Sequence, residues 1–324
     1  AIAATLAPMG IGFERWQVQG DLAPEADPAE IDEVGLAELM VGRPVQLVVD
    51  KAPSQPGEAI LSVDQMHVVD PTGRTLVDHV SFDVHAGEIV GVAGVQGNGQ
   101  TELVEALTGL RDVIAGSVHL GGDDITHATP REVHSAGVAH IPEDRQRAGL
   151  VGDFSVAENM VLTRYHDDEF STGIKMDWPK ARTVAADLVE QYDVRTPSIQ
   201  TPAGTLSGGN QQKVVMSRAL MSKPGFIIAD EPTQGVDVGA RFEIYRILRE
   251  VSQSGTPVIV NSSDAAELEG LCDVVIVMSR GRVVETLRGD DITEGRIIQA
   301  AVGAQSHVEG VGEIKACPRQ LFPS

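Results

Sequence analysis

Apolar and polar positions alternate in part over Ala59–Val69 and again over Leu76–Val84, which predicts two half-buried antiparallel strands. From Glu88 onward the pattern changes. Short apolar runs now alternate with helical stretches: a strand at Ile89–Ala93, a helix at Thr101–Leu110, then Phe226–Ala229, Val238–Val251, Pro257–Asn261 and Asp273–Met278. That alternation is the mark of an α/β sheet. Ser279-Arg280-Gly281-Arg282 reads as a hairpin turn into Val283–Leu287. Thr129-Pro130-Arg131-Glu132 combines a capping box with proline at the first helical position, and Gly137 supplies the stop. Ser155-Val156-Ala157-Glu158 is a second capping box. Between Glu143 and Thr205 helices dominate, so a helical insert is placed there.

The ends are less regular. Residues 1–55 show weak periodicity and a proline- and acid-rich middle at Ala23–Pro28; Leu36–Met40 forms at most one short helix closed by Gly42. Lys51–Gly57 reads as a linker. The last ~20 residues carry no clear element. The apolar opening Ala1–Phe13 follows no basic segment and is too short to span a bilayer, so a secretory leader is not expected. The missing initial methionine fits a chain cut from a longer one.

Composition narrows the function. At 324 residues the chain can bury one large α/β core. Hydrophobic content of 42% and charged content of 22% are ordinary, but the net charge of −22 is not. It argues against non-specific nucleic-acid binding, which needs cations to displace phosphate counterions, and against a grip on anionic lipid. A well-solvated cytosolic protein is the plain expectation. Two cysteines, Cys272 and Cys317, make no disulfide framework; Cys272 beside an apolar strand is a small buried residue. The nine histidines include no His-x-x-x-His pair on an expected helix.

Three stretches carry chemistry. Gly94-Val95-Gln96-Gly97-Asn98-Gly99-Gln100-Thr101 follows a strand and opens a helix, the context of a phosphate loop. Its glycines let backbone N–H groups converge on phosphate oxygens. Where such a loop has lysine, this chain has Gln100, while the Thr101 hydroxyl can still reach a magnesium ion. Losing the lysine removes charge-assisted hydrogen bonds of roughly 1.5–3 kcal/mol each, a weakening of ATP binding by about one to two orders of magnitude. Binding can survive this better than fast chemistry. Leu206-Ser207-Gly208-Gly209-Asn210-Gln211-Gln212 is a serine-glycine turn opening a helix, with unpaired N–H groups as an anion site or with Ser207 as a plain N-cap. Phe226–Thr233 is an apolar strand ending in Asp230 and Glu231, where a metal ligand and a general base can stand side by side.

In this order and spacing, the last two stretches resemble the signature loop and Walker B strand of ABC-type ATPases. From about Leu36 to Gly303 the chain looks like the C-terminal nucleotide-binding half of a tandem importer ATPase of the ribose/galactose or nucleoside kind. The matching stretches are Gly91–Gly109, Gly137–Asn159, Leu206–Arg218, Glu231–Ile244 and Asp273–Val284. The wording of Gly94–Leu103 leans to the nucleoside branch. That half characteristically lacks the phosphate-loop lysine and keeps its signature.

The resemblance implies an α/β fold: a P-loop NTPase (RecA-like) core with an antiparallel β-subdomain and an ABC-type helical subdomain. It places the nucleotide-binding domain at 56–305 with its insert at about 143–205, a leading segment or remnant of a preceding half at 1–55, and a loose tail at 306–324. It implies ATP and Mg²⁺ as cofactors. Asp230 would hold the metal with Thr101, and Glu231 would orient the attacking water. Gly94, Gly97, Asn98, Gly99, Gln100, Thr101 and Glu102 would cradle nucleotide. Ser207, Gly208, Gly209 and Asn210 would cap nucleotide held by a second ABC half. Glu143 stands where the family's Q-loop glutamine is usual, and Ser263 where a γ-phosphate histidine is usual. No Tyr or Trp, and no Phe, lies between Ile60 and Ser81 to stack on adenine; His67 is either a substitute or an ordinary strand histidine. Implied partners are a second ATPase half, membrane permease subunits met through the insert (Phe154 being either a contact or core), and indirectly an extracytoplasmic solute-binding protein. Nucleic acid is not among them. The implied place is the cytoplasmic face of the membrane. A regulatory domain that binds nucleotide without turnover, and a soluble ATPase acting on ribosomes or DNA, are the rival readings.

Overall fold

The computed structural model describes residues 56–172 and 175–306. The expectations for the leading segment, Leu36–Met40, Cys317 and the tail after 306 fall outside the described residues. The chain divides into two compact units, one holding 56–140, 224–231 and 252–306, the other 141–172, 175–223 and 232–251.

The first unit contains both larger sheets. The strands β1 (Ala59–Val69) and β2 (Thr75–His85) pair antiparallel, as their alternation requires, and β4 (Ala115–Leu120) and the two-residue β5 (Asp123–Asp124) complete the order β2-β1-β4-β5. The second sheet has six strands in the order β12-β11-β3-β10-β9-β6. Here β3 is Ile89–Gly94, β6 Val138–Ile141, β9 Phe226–Asp230, β10 Val258–Asn261, β11 Val274–Ser279 and β12 Arg282–Arg288. β9, β10, β3 and β11 run parallel to their neighbours, and the hairpin to β12 is antiparallel.

The central strands are apolar throughout because both faces are covered. Val90, Val92, Ile228, Ile259 and Ile276 share one core with Leu61, Val63, Met66 and Val80 of the antiparallel sheet and with Leu103, Val104 and Leu107 of helix α1 (Gln100–Leu107). On the opposite face, Gly91 admits a close approach: a β-carbon there would lie 2.8 Å from the sulfur of buried Cys272. α1 is shorter than the apolar pattern suggests, closing at Thr108 and Gly109, whose N–H groups bond back to Val104 and Ala106. Both capping boxes form, at Thr129 for α2 (Pro130–Ser135) and at Ser155 for α3 (Val156–Val161).

The second unit is largely helical. α3, α4 (Trp178–Gln191) and α5 (Gly208–Met221) pack together around Val161, Phe170 and Ala181, with Met221 against them. Two features depart from an all-helical insert: a small hairpin of β7 (Ser171–Thr172) and β8 (Lys175–Met176), and a π-helical turn at Arg145–Gly149. By packing, the unit reaches past Thr205 to take in α5 and residues 232–251. No helix among the described residues is long and apolar enough to cross a membrane.

Candidate functional site

The glycine loop runs from the end of β3 into α1. Gly97 and Gly99 adopt φ values of 86° and 102°, a left-handed backbone that side chains disfavour. At Gly99 the space is also closed, since a β-carbon would stand 2.6 Å from the carbonyl oxygen of Leu76. Gly99 is the N-cap of α1 and brings no side chain to cap it, so the first N–H groups of the helix stay available to an external acceptor. The loop is pinned to the β11–β12 turn: Asn98 Oδ1 accepts from the Arg280 N–H at 3.0 Å, and its carbonyl from the Gly281 N–H at 2.9 Å. The Asn98 side-chain amide nitrogen is buried with no acceptor. An uncapped helix start and an orphaned donor fit a bound phosphate. Gln100 is 7% exposed, its amide lying over Gly94, whereas Thr101 is exposed and Glu102 half-buried.

The carboxylates lie in the same unit. Asp230 ends β9 buried, and its Oδ1 accepts from Asn261 Nδ2 at 2.6 Å. Glu231 follows with φ 44°, its N–H donating to the Asn261 carbonyl at 2.8 Å. The Ser263 backbone N–H donates to Glu231 Oε1 at 2.7 Å. The Ser263 position therefore serves Glu231 through its main chain, and its side chain is exposed. The turn beneath is fixed by Ser262, whose hydroxyl donates to buried Glu267 and accepts from the Asp264 N–H at 3.1 Å.

The second unit holds the remaining expected residues. Ser207 is the N-cap of α5, but its hydroxyl caps nothing; it accepts from Asn210 Nδ2 at 2.9 Å. Ser207 thus stands at the N-cap position as the sequence suggests, but Asn210 takes up its oxygen and the side chain caps no helix N–H. Gly208 and Gly209 are tight. β-Carbons there would meet the Gly235 carbonyl at 2.7 Å and the Ala240 methyl at 2.6 Å. Arg145, which the sequence reading passed over, clamps the segment after the carboxylates. Its Nη1 donates to the Gln234 carbonyl at 2.6 Å and Nη2 to the Gly235 carbonyl at 3.0 Å. Glu143 Oε1 receives only a long contact, 3.5 Å, from Gln234 Nε2. Phe154 is 41% exposed. The only earlier hint of the clamp is an arginine two residues past Glu143.

Loop, carboxylate strand and serine-glycine turn can now be set beside known proteins. Residues 77–234 match the family model described as ABC transporter. This chain belongs to that family. It is 40% identical over 268 residues to the guanosine import ATP-binding protein NupO of Bacillus subtilis, covering 83% of this chain and 52% of that protein. It is 42% identical to the nucleoside import ATP-binding protein NupA of Lactococcus lactis, over 76% of this chain and 49% of the relative. A glucose import ATP-binding protein, TsgD13 of Haloferax volcanii, is 38% identical over 90% of this chain and 55% of its own length. The chain therefore spans about half the length of the curated relatives it matches. Among solved structures, the ADP conformation of the ATP-binding cassette MJ1267 superposes with a TM-score of 0.66 at 22% identity, covering 76% of this chain and 99% of that one. A nucleotide-free cassette from an ABC transporter gives 0.64 at 22% identity, over 74% and 96%. The fold is the ATP-binding cassette, with a mixed sheet and an antiparallel subdomain.

Proposed function

We propose that this cassette is the C-terminal half of a tandem importer ATPase, with a degenerate phosphate loop of its own and a serine-glycine turn that completes the nucleotide site of a second half. The observation carrying this reading is buried Gln100 in place of lysine, in a chain that keeps Asp230, Glu231 and the open α5 start. The relatives named for guanosine and nucleoside import, at 40% and 42% identity, favour nucleosides over sugars as the solute class.

In this reading, Gly94, Gly97, Asn98, Gly99, Gln100, Thr101 and Glu102 bind ATP phosphates through backbone and short side chains. Thr101 and Asp230 hold Mg²⁺, which when bound neutralises phosphate charge. Glu231 is the base that orients a water and takes its proton, and the Ser263 N–H fixes which oxygen faces away. Ser207, Gly208, Gly209 and Asn210 present the α5 N–H groups to nucleotide held by the partner half. Glu143, at the Q-loop position, is read as a further nucleotide contact, and exposed Phe154 is offered to permease subunits on the cytoplasmic face of the membrane. An extracytoplasmic solute-binding protein completes the assembly.

Phosphate release from the chain alone, then with a complementary half, tests this. The expected result is little turnover alone and clear turnover when paired, lost when Ser207–Gly209 is altered. Gln100 and Ser263 also favour a second reading, a nucleotide-binding domain that never hydrolyses. Turnover in the paired assembly that Glu231→Gln lowers would overturn that alternative.

A further inference from the structure

Away from the glycine loop, the antiparallel sheet gathers two imidazoles and a carboxylate. His67 lies on β1; Asp78 and His79 lie on β2, and one ligand atom from each sits within 4.8 Å of the other two. His67 Nδ1 is 3.5 Å from Asp78 Oδ1, and His79 Nδ1 is 2.7 Å from the same oxygen. Irregular pairing brings them together. The β1–β2 register shifts between Val63 and Met66 and again before Val68, and His79 takes a left-handed φ of 53°. A bulge of this kind re-aims side chains that a regular strand would send to opposite faces.

Two observations say that hydrogen bonding alone does not satisfy the cluster. His67 Nδ1 is buried and makes no hydrogen bond, although the carboxylate stands nearby. The two imidazole rings also lie close together, centroids 4.9 Å apart and tilted by 43°. Asp78 is anchored from its other side by Arg282 Nε, 2.6 Å from Oδ2, which leaves Oδ1 directed at the histidines. Asp78 and His79 form part of the wall of an open cavity of about 500 Å³, so a fourth position would be reached by water.

We propose that His67, Asp78 and His79 form a binding site for a divalent transition ion of the Zn²⁺ class. Two nitrogens and one carboxylate oxygen suit Zn²⁺ or Co²⁺; Mg²⁺ and Ca²⁺ ask for oxygen shells. Tetrahedral metal–ligand bonds of about 2.0–2.1 Å put neighbouring ligand atoms about 3.3 Å apart. The His67–Asp78 separation already meets this, and the His79–Asp78 pair opens by roughly half an ångström as the ion replaces the shared proton. Arg282 holds the ligand carboxylate in place from Oδ2, while its positive charge opposes the ion.

The test uses the full chain, stripped with a chelator and titrated with ZnCl₂ against a competing indicator, with Co²⁺ absorption as a second readout. One equivalent is expected to bind. The pair His67→Gln and His79→Asn should weaken it by at least about tenfold and abolish the Co²⁺ bands. Asparagine tolerates the left-handed backbone at 79, so His79→Asn alone keeps the test open should the double variant not fold. Equal Zn²⁺ binding by parent and histidine variants would overturn the site.

Discussion

Glu231 and Ser263 are joined by a 2.7 Å hydrogen bond in which a backbone N–H, not a side chain, holds the carboxylate. The identity of residue 263 is therefore of little consequence to Glu231, provided it can donate. Ser263→Ala should leave stability within about 0.5 kcal/mol of the parent. Ser263→Pro removes the N–H and should cost about 1–3 kcal/mol in urea unfolding. Glu231→Gln retains an acceptor and should melt like the parent while lowering turnover in the paired assembly by this chain's own share.

Gln100 is the residue that most limits nucleotide affinity in the proposed site. Gln100→Lys restores a charge-assisted donor of roughly 1.5–3 kcal/mol. Calorimetric titration with MgATP should show about ten- to a hundred-fold tighter binding.

The serine-glycine turn should be intolerant of even one methyl group. Gly208→Ala would drive a β-carbon to 2.7 Å from the Gly235 carbonyl and 2.8 Å from Arg145 Nη2, and Gly209→Ala would collide with Ala240. Each should cost about 1–3 kcal/mol through overpacking. Gly208→Ala should also loosen the Arg145 clamp, seen as faster hydrogen exchange at Gln234–Val236.

His140 on β6 gives a pH signature. Burial lowers its pKa from 6.5 to about 4, and its Nε2 has no partner. Between those values the unfolded chain binds the extra proton, so this contribution is whole above pH 6.5 and is lost as pH falls toward 4. Denaturation at pH 7 and pH 5 should differ by about 2 kcal/mol from this group, a gap that His140→Leu removes.

The parallel strands were readable because both of their faces are covered, so Phe226–Ala229 and Val274–Met278 are apolar without interruption. The capping boxes at Thr129 and Ser155 were readable because capping is local. What escaped was tertiary. Nothing near Arg145 in sequence says that its guanidinium ends on carbonyls 89 and 90 residues later. The His67–Asp78–His79 group has no linear spacing to read, because irregular strand pairing brings it together. The boundary of α1 failed for another reason: apolar periodicity continues to Leu110, but the chain turns at Gly109, whose φ is 72°.

Glu231 carries one more implication, through its φ of 44°. A residue carrying a β-carbon in that conformation is held against its own preference by roughly 1–2 kcal/mol, which glycine would not feel. Glu231→Gly should then raise the melting temperature of an inert protein, provided relief of strain outweighs the lost contact with Ser263. A lineage of such cassettes that had stopped turning over nucleotide would have a standing incentive to drift to glycine here.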